Sequence, residues 1–404
     1  MQKASNLLFT IGCTVFLMSI MAYLALHECG CISMKEYSWF EGRSYTQAPT
    51  FSANEFIDGS YQSNTESFLS DHLPIRDSVV MLNAEIQRVA IEAANVLFSW
   101  ECQPAYFGCS YSVVASTNTV LREAEKKYEP QLKVFCSRLR QFANRYPDKR
   151  FVVYGAESSY SLVANPSQKY ITGSITTAEG KRLMEEEFGD CENVIVLTNP
   201  YDSLESYYED YYLTDFHWNA KGAAEAYNTI ANHLGFLQID TSTVVPIAGV
   251  EYLGSESRTA LIPRSEPVFD IDYNYDSLIV YHSDGTIETG SEHKRYAEAD
   301  SQHIKFDFYG VYFGTPYDTY RIDSRLDNKN RKALLITNSY GNAIMRNLAL
   351  AYETLYVKWD FYYKDTADTS LEAYLQETEA DDIYFIGPMA DYRFFCEKKA
   401  SFFD

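Results

Sequence analysis

The segment Leu213-Thr-Asp-Phe-His-Trp-Asn-Ala-Lys-Gly222 sets a carboxylate, Asp215, two residues before an imidazole, His217. Residues two apart on an extended turn can bring the carboxylate to the ring Nδ1. Such a pair can deprotonate an alcohol, because imidazole titrates near neutrality and an adjacent carboxylate orients it. The alcohol best placed by context is Ser339, in Leu334-Leu-Ile-Thr-Asn-Ser-Tyr-Gly-Asn342, between an apolar strand and a helix. A serine hydroxyl needs a base within hydrogen-bond reach, and the three residues together would perform acyl transfer through a covalent intermediate.

Elements that position these residues follow from hydrophobic spacing. Ala220, Ala223, Ala224, Tyr227, Ile230, Ala231 and Leu234 share one face of a helix over 220–234, with Asn219 as its N-cap. The run Ala333–Ile336 reads as a buried strand ending just before Ser339, and a helix over about 342–352 follows. In open α/β sheets, chemistry sits beyond the carboxyl ends of the strands, where helix-start N–H groups can receive an oxyanion. The N–H groups of Ser339 and its neighbours Asn338 and Tyr340 are the candidate donors, with the Asn342 side chain as a further donor or substrate contact. Ser158 and Ser159, after the strand Arg150–Gly155, are rival nucleophiles on the same logic. His72 reads as a structural or surface residue, and His282, His293 and His303 lie in the segment 238–330.

Further strands are expected at 193–197, 354–358 and 382–386, with helices at 78–96, 120–145, 176–188 and 370–376. This alternation predicts an α/β fold with a mainly parallel sheet covered by helices on both faces. Between about 238 and 330 the pattern changes to strand-like pieces and turns, with a hairpin at Asp284-Gly285, and predicts a β-rich insertion.

The 404 residues carry a net charge of −22, from 56 acidic and 34 basic side chains, which argues against nucleic acid and strongly anionic polymers as partners. The 46% hydrophobic content can build a sizeable core. Thirty-four tyrosines suit either an aromatic core or a surface that stacks on sugars. No spacing of the eight cysteines reads as a zinc site, and Cys102 and Cys109 could close a small loop. No cofactor or metal is called for.

Residues 6–26 are uncharged and apolar, long enough as a helix to cross roughly 30 Å of hydrocarbon. Lys3 precedes the run and no basic residue follows until Lys35, which predicts a single-pass anchor with the rest outside the cytoplasm, a cleaved signal peptide being the alternative. The organisation expected is a cytoplasmic tail at 1–5, an anchor at 6–26, a stalk at 27–55 and a catalytic domain at 56–404.

Thr214-Asp-Phe-His-Trp-Asn-Ala-Lys-Gly-Ala223 resembles the signature of the DHHW proteins and of the alginate O-acetylation proteins AlgJ and AlgX, which are SGNH-hydrolase-like. Ser70-Asp-His-Leu-Pro-Ile-Arg-Asp77 is similar to the family's Asp-x-x-Pro-x-Arg turn, and Ala333–Asn342 to its Asp-Ser-Tyr segment. Asn338 stands where Asp is usual, and Phe216 where His or Thr is usual. The resemblance implies Asp215, His217 and Ser339 as a triad, and an acetyl group carried on Ser339 to a hydroxyl of a cell-surface or exported polysaccharide. It also implies a multipass membrane acyltransferase as partner. An acetyl-esterase using the same triad and a non-catalytic glycan-binding protein are the alternatives.

Overall fold

The computed structural model describes residues 10–403 except 13, 16, 17, 20, 24, 27, 28, 32–35, 39, 74, 125–127, 170–173, 272, 274, 290–300, 315–319, 327–329, 360–368 and 398–400. The expected tail at 1–5 and part of the expected anchor lie outside these residues. Among the described residues no helix is long and apolar enough to cross a membrane. The chain divides into two compact units, Met1–Ala94 and Asn95–Asp404.

The first unit holds the short pair β1 (Tyr37–Ser38) and β2 (Arg43–Ser44), then α1 (Ala53–Asp58), α2 (Ser60–Asp71) and most of α3 (Arg76–Phe98). The first residue of its Asp-x-x-Pro-x-Arg segment acts as a structural clamp. Asp71 accepts both Arg43 Nη atoms, at 2.9 and 2.6 Å, and the Thr46 N–H and hydroxyl, each at 2.9 Å. The hydrogen bond from Arg43 leads the effects that hold the Asp71 carboxyl well below the usual carboxylate range.

The second unit begins with a three-stranded antiparallel sheet, β3 (Cys102–Pro104), β4 (Tyr111–Val114) and β5 (Thr119–Arg122). The helix expected from Val120 therefore starts later, as α4 (Glu129–Arg145). Thr119–Arg122 pairs across to Tyr111–Val114 instead, and a proline in the first turn of α4 marks the true start. Cys102 and Cys109 are free thiols.

The chain continues through β6 (Arg150–Ala156), α5 (Thr177–Phe188), β7 (Val194–Leu197), α6 (Leu204–Asp210) and α7 (Ala220–Leu234). Next come β8 (Val244–Tyr252), α8 (Ser255–Thr259), β9 (Glu266–Ile271), β10 (Leu278–His282), β11 (Ile287–Thr289), α9 (Ser301–Phe313) and β12 (Tyr320–Ser324). It ends with β13 (Lys332–Thr337), α10 (Tyr340–Ala349), β14 (Thr354–Trp359), α11 (Leu371–Thr378), β15 (Asp382–Pro388), a 3₁₀ turn at Met389–Arg393 and the short helix α12 (Phe394–Glu397).

Eight strands form the main sheet in the order β11-β10-β12-β14-β13-β15-β6-β7. The five from β14 to β7 are parallel, as the strand–helix alternation predicts. The whole sheet is mixed, with an antiparallel edge beside its parallel part. The Asp284-Gly285 turn, with Gly285 at φ +86°, reverses β10 into β11, and β10 and β12 add antiparallel beside β14. Part of the segment read as an insertion is thus the edge of the main sheet.

Strand side chains alternate between faces, and two cores follow from that period of two. Val152, Tyr154, Leu335, Tyr384 and Ile386 face a layer with Ala223, Ile230 and Ile344 of α7 and α10. Phe151, Val153, Leu334, Ile383 and Phe385 face a layer with Leu139, Met184 and Leu375 of α4, α5 and α11. Tyrosines 128, 207, 212, 312, 320, 340, 352, 384 and 392 are among the largest fully buried side chains, so the aromatic richness builds core.

Candidate active site

The loop from Tyr211 to Trp218 connects α6 to α7 and is pinned at its neck. Tyr211 and Trp218 form a β-bridge, the Tyr212 N–H donates to the His217 carbonyl at 3.2 Å, and the Asn219 N–H donates to the Asp210 carbonyl at 2.9 Å. Asn219 caps α7 by accepting the Gly222 N–H at 3.0 Å, as its sequence position predicts. A Cβ on Gly222 would stand 2.1 Å from the Asp210 carbonyl oxygen, so only glycine lets α7 approach the end of α6 this closely.

Asp215 and His217 sit at the tip of this loop. His217 Nδ1 lies 2.5 Å from Asp215 Oδ1, and the His217 N–H donates to the same oxygen at 3.1 Å. The other carboxylate oxygen accepts the Ser255 N–H at 2.8 Å and its hydroxyl at 2.7 Å. Burial pushes the Asp215 carboxyl up, but the His217 charge and the hydrogen bonds from His217 and Ser255 outweigh it. The group is held well below the usual range. An ionised Asp215 keeps a proton on Nδ1, which leaves Nε2 as an acceptor.

Ser339 stands at the turn from β13 into α10, half-buried, with its Oγ 2.7 Å from His217 Nε2. A Cβ on Gly341 would lie 2.2 Å from Thr337 Cγ2, so the elbow closes only around glycine. The structure brings together the three side chains that the sequence singles out, in the order hydroxyl, imidazole, carboxylate.

The three neighbouring side chains, read as oxyanion or substrate contacts, turn inward. Asn338 is 1% exposed; its Oδ1 accepts the Tyr340 N–H at 3.1 Å and its Nδ2 donates to Asp391 at 2.9 Å. Tyr340 is 1% exposed and donates its hydroxyl to the Phe216 carbonyl at 2.5 Å. Asn342 is also 1% exposed and donates its amide to the Gly314 carbonyl at 2.7 Å. These side chains build the elbow. The Gly341 and Asn342 N–H groups bond to the Asn338 and Ser339 carbonyls, which leaves the Ser339 N–H as the backbone donor nearest the nucleophile.

Ser158 and Ser159 are buried in another network. Ser158 pairs with Ser161 at 2.8 Å, and Ser159 donates to Glu256 at 3.0 Å. His72 bonds the Phe68 carbonyl, and His282 and His303 pair with Glu288 and Asp307. His293 lies outside the described residues.

Sequence reading missed a group of residues between 238 and 330. Ser255 clamps Asp215. Gly254 precedes it where a Cβ would stand 2.4 Å from the Asp215 Cβ and 2.5 Å from the Thr214 carbonyl oxygen. Glu266 accepts the Leu213 N–H at 3.0 Å and the Thr214 N–H and hydroxyl, both at 2.7 Å. Burial raises Glu266 to about 7 and Glu256 to about 8, the nearby Asp215 charge adding to both. The one local signal for this group is a Gly-Ser pair opening a short helix after a strand.

No family model and no curated protein matches the chain. Solved structures do. A DHHW family protein from Eubacterium siraeum aligns over 70% of this chain and 94% of its own, at 17% identity and a TM-score of 0.51. Over that part the two chains are similar in fold. Bacillus cereus PatB1, in a structure with a sulfonyl adduct, aligns over 68% of this chain and 96% of its own, at 17% identity and a TM-score of 0.52. The O-acetyltransferase domain of Pseudomonas putida AlgJ aligns over 70% and 92%, at 12% identity and a TM-score of 0.37. The resemblance to DHHW proteins read in the motifs thus holds at the level of fold.

Proposed function

We propose that this protein is an O-acetyltransferase that carries an acetyl group on Ser339 to a hydroxyl of a cell-surface or exported polysaccharide. The observation that carries this reading is the unbroken chain Ser339 Oγ–His217 Nε2 at 2.7 Å and His217 Nδ1–Asp215 Oδ1 at 2.5 Å. The motif resemblance supports acetyl as the group and a sugar as the acceptor. A net charge of −22 favours a neutral polymer over an anionic one.

The chemistry divides into two halves. Ser339 Oγ attacks the carbonyl carbon of an acetyl ester donor while its proton moves to His217 Nε2. The tetrahedral oxyanion faces the Ser339 N–H. Its collapse breaks the bond to the donor oxygen, which leaves with the proton from Nε2. In the second half a sugar hydroxyl gives its proton to Nε2 and attacks the acetyl carbon. The bond to Oγ breaks, and Ser339 recovers the proton. Asp215 holds the imidazole in the required tautomer throughout and stabilises its charged form.

In this reading residues 6–26 tether the protein at the outer face of the membrane, beside a multipass acyltransferase that supplies the acyl group. The test uses the full chain with a chromogenic acetyl ester, with and without a neutral oligosaccharide. Acceptor-dependent release of the chromophore with acetylation of the sugar, both lost in Ser339→Ala, is the expected result. Release that ignores the acceptor makes the protein an esterase. Silence in both assays removes the enzymatic reading.

A further inference from the structure

We propose that Tyr309 is a positioning residue of this site, holding the base by its ring and the nucleophile's backbone by its hydroxyl. The inference rests on the triad reading above and extends it to a residue that no motif marks. The Tyr309 ring lies flat on the His217 imidazole, with centroids 3.9 Å apart and planes 11° apart. Its hydroxyl donates to the Ser339 carbonyl at 2.9 Å. A single buried side chain therefore touches both partners of the proton transfer.

The physical need is specific. Asp215 fixes the imidazole at one atom, Nδ1, and the ring can still tilt about that bond, because the terminal torsion of histidine is broad. A flat neighbour at van der Waals distance removes the tilt and keeps Nε2 aimed at Ser339 Oγ. The electron-rich face of a phenol also favours the positive charge that the imidazole acquires as it takes the proton. The hydroxyl bond meanwhile ties the carbonyl of residue 339 down and fixes the start of α10. Burial pushes the Tyr309 hydroxyl well above its ordinary value, so it remains a donor across the working pH range.

The fold is shaped to deliver this ring. Helix α9 departs from helical geometry at Asp307 (φ −142°, ψ 43°), two residues before Tyr309. Gly310 packs beside the kink, where a Cβ would stand 2.8 Å from the Asp307 carboxylate. The Leu253 N–H donates to the Lys305 carbonyl at 2.7 Å, which joins α9 to the Gly254-Ser255 turn that clamps Asp215. The segment between β8 and β12 thus supplies supports for all three members of the triad.

The experiment measures covalent labelling of Ser339 by phenylmethylsulfonyl fluoride, followed by mass, in the full chain and in Tyr309→Phe, Tyr309→Leu and Ser339→Ala. It adds kcat and KM with the chromogenic ester, and the thermal midpoint. Phe keeps the flat face and loses the hydrogen bond, so labelling and kcat should slow by about 3–10-fold. Leu loses both contacts and should slow them by about 10–100-fold, with KM nearly unchanged. Tyr312→Leu, a buried neighbour on the same helix, should lower the thermal midpoint without a matching loss of labelling. Wild-type labelling in Tyr309→Leu, or in Tyr309→Phe should the Leu variant fail to fold, overturns the proposal. So does a loss that merely follows the thermal midpoint, as in the Tyr312 control. If Ser339→Ala itself labels and turns over normally, the triad reading falls instead, and the two failures are told apart.

Discussion

Trp218 and Tyr340 lace the base to the nucleophile through the residues on either side of them. The Trp218 indole N–H donates to the Tyr340 carbonyl at 3.1 Å, and the Tyr340 hydroxyl donates to the Phe216 carbonyl at 2.5 Å. The two rings meet edge to face, with centroids 5.2 Å apart. Phe216 and Trp218 flank His217, and Tyr340 follows Ser339. The loop before α7 and the elbow before α10 are therefore one construction.

Tyr340→Phe tests that construction. It leaves the Phe216 carbonyl without its donor inside the fold, and the loss should cost about 1–3 kcal/mol in denaturant unfolding. Turnover should fall with it, while KM for the acceptor stays near wild type. A selective rise in acceptor KM would return Tyr340 to the list of substrate contacts.

Removal of the triad groups should be severe. Ser339→Ala, His217→Ala and Asp215→Ala should each lower turnover by a factor on the order of 10⁴–10⁶, as in other triads, with non-additive double variants. Steady-state kinetics with the chromogenic ester decide this. Near-normal turnover in any one variant takes that residue out of the mechanism.

Asn338→Asp probes the departure from the usual Asp-Ser-Tyr pattern. Asn338 donates to Asp391 at 2.9 Å inside the protein, so a carboxylate at 338 would face another at that distance. Two buried like charges cannot both ionise comfortably, and the substitution should cost on the order of 3 kcal/mol. Asp391→Asn in the same chain should restore most of it, because the donor then comes from the other side. A stable single variant, or a double variant no better, would show that this contact is not what selects Asn.

Stability should depend on pH through Glu256 and Glu266. Burial raises them from an ordinary 4.5 to about 8 and about 7, with the Asp215 charge contributing. Because the folded values are raised, the folded state binds more protons between 4.5 and these values, so stability from these groups falls as pH rises through that window. Asp215 acts in the opposite sense, but below its ordinary 3.8 and so outside the window. Denaturant unfolding at a series of pH values should show a downward slope that Glu256→Gln flattens. An unchanged slope in that variant means that Glu256 does not titrate there.

Much of the site was legible because its pieces are local. The Asp-x-His spacing, the Asn219 cap, the apolar face of α7 and the strand-to-helix turn at Ser339 are each written within a few residues, where periodicity and capping act. The parallel part of the sheet was legible for the same reason, since buried strands alternate with amphipathic helices. What the hydrophobic pattern does not encode is which strand a segment will pair with. The run Leu278–His282 has the same character whether it belongs to a separate hairpin or, as here, to the antiparallel edge of the main sheet.

By itself the sequence determined the chemical identity of the hydroxyl, the imidazole and the carboxylate, and the local turns that present them. Tertiary structure alone decided that Ser255 clamps Asp215, that Tyr309 lies on His217, and that Asn338, Tyr340 and Asn342 turn inward. Those contacts join residues far apart in the chain. They form only when burial of the two cores pays the entropy of closing the long loops between them, and no short-range pattern carries that information.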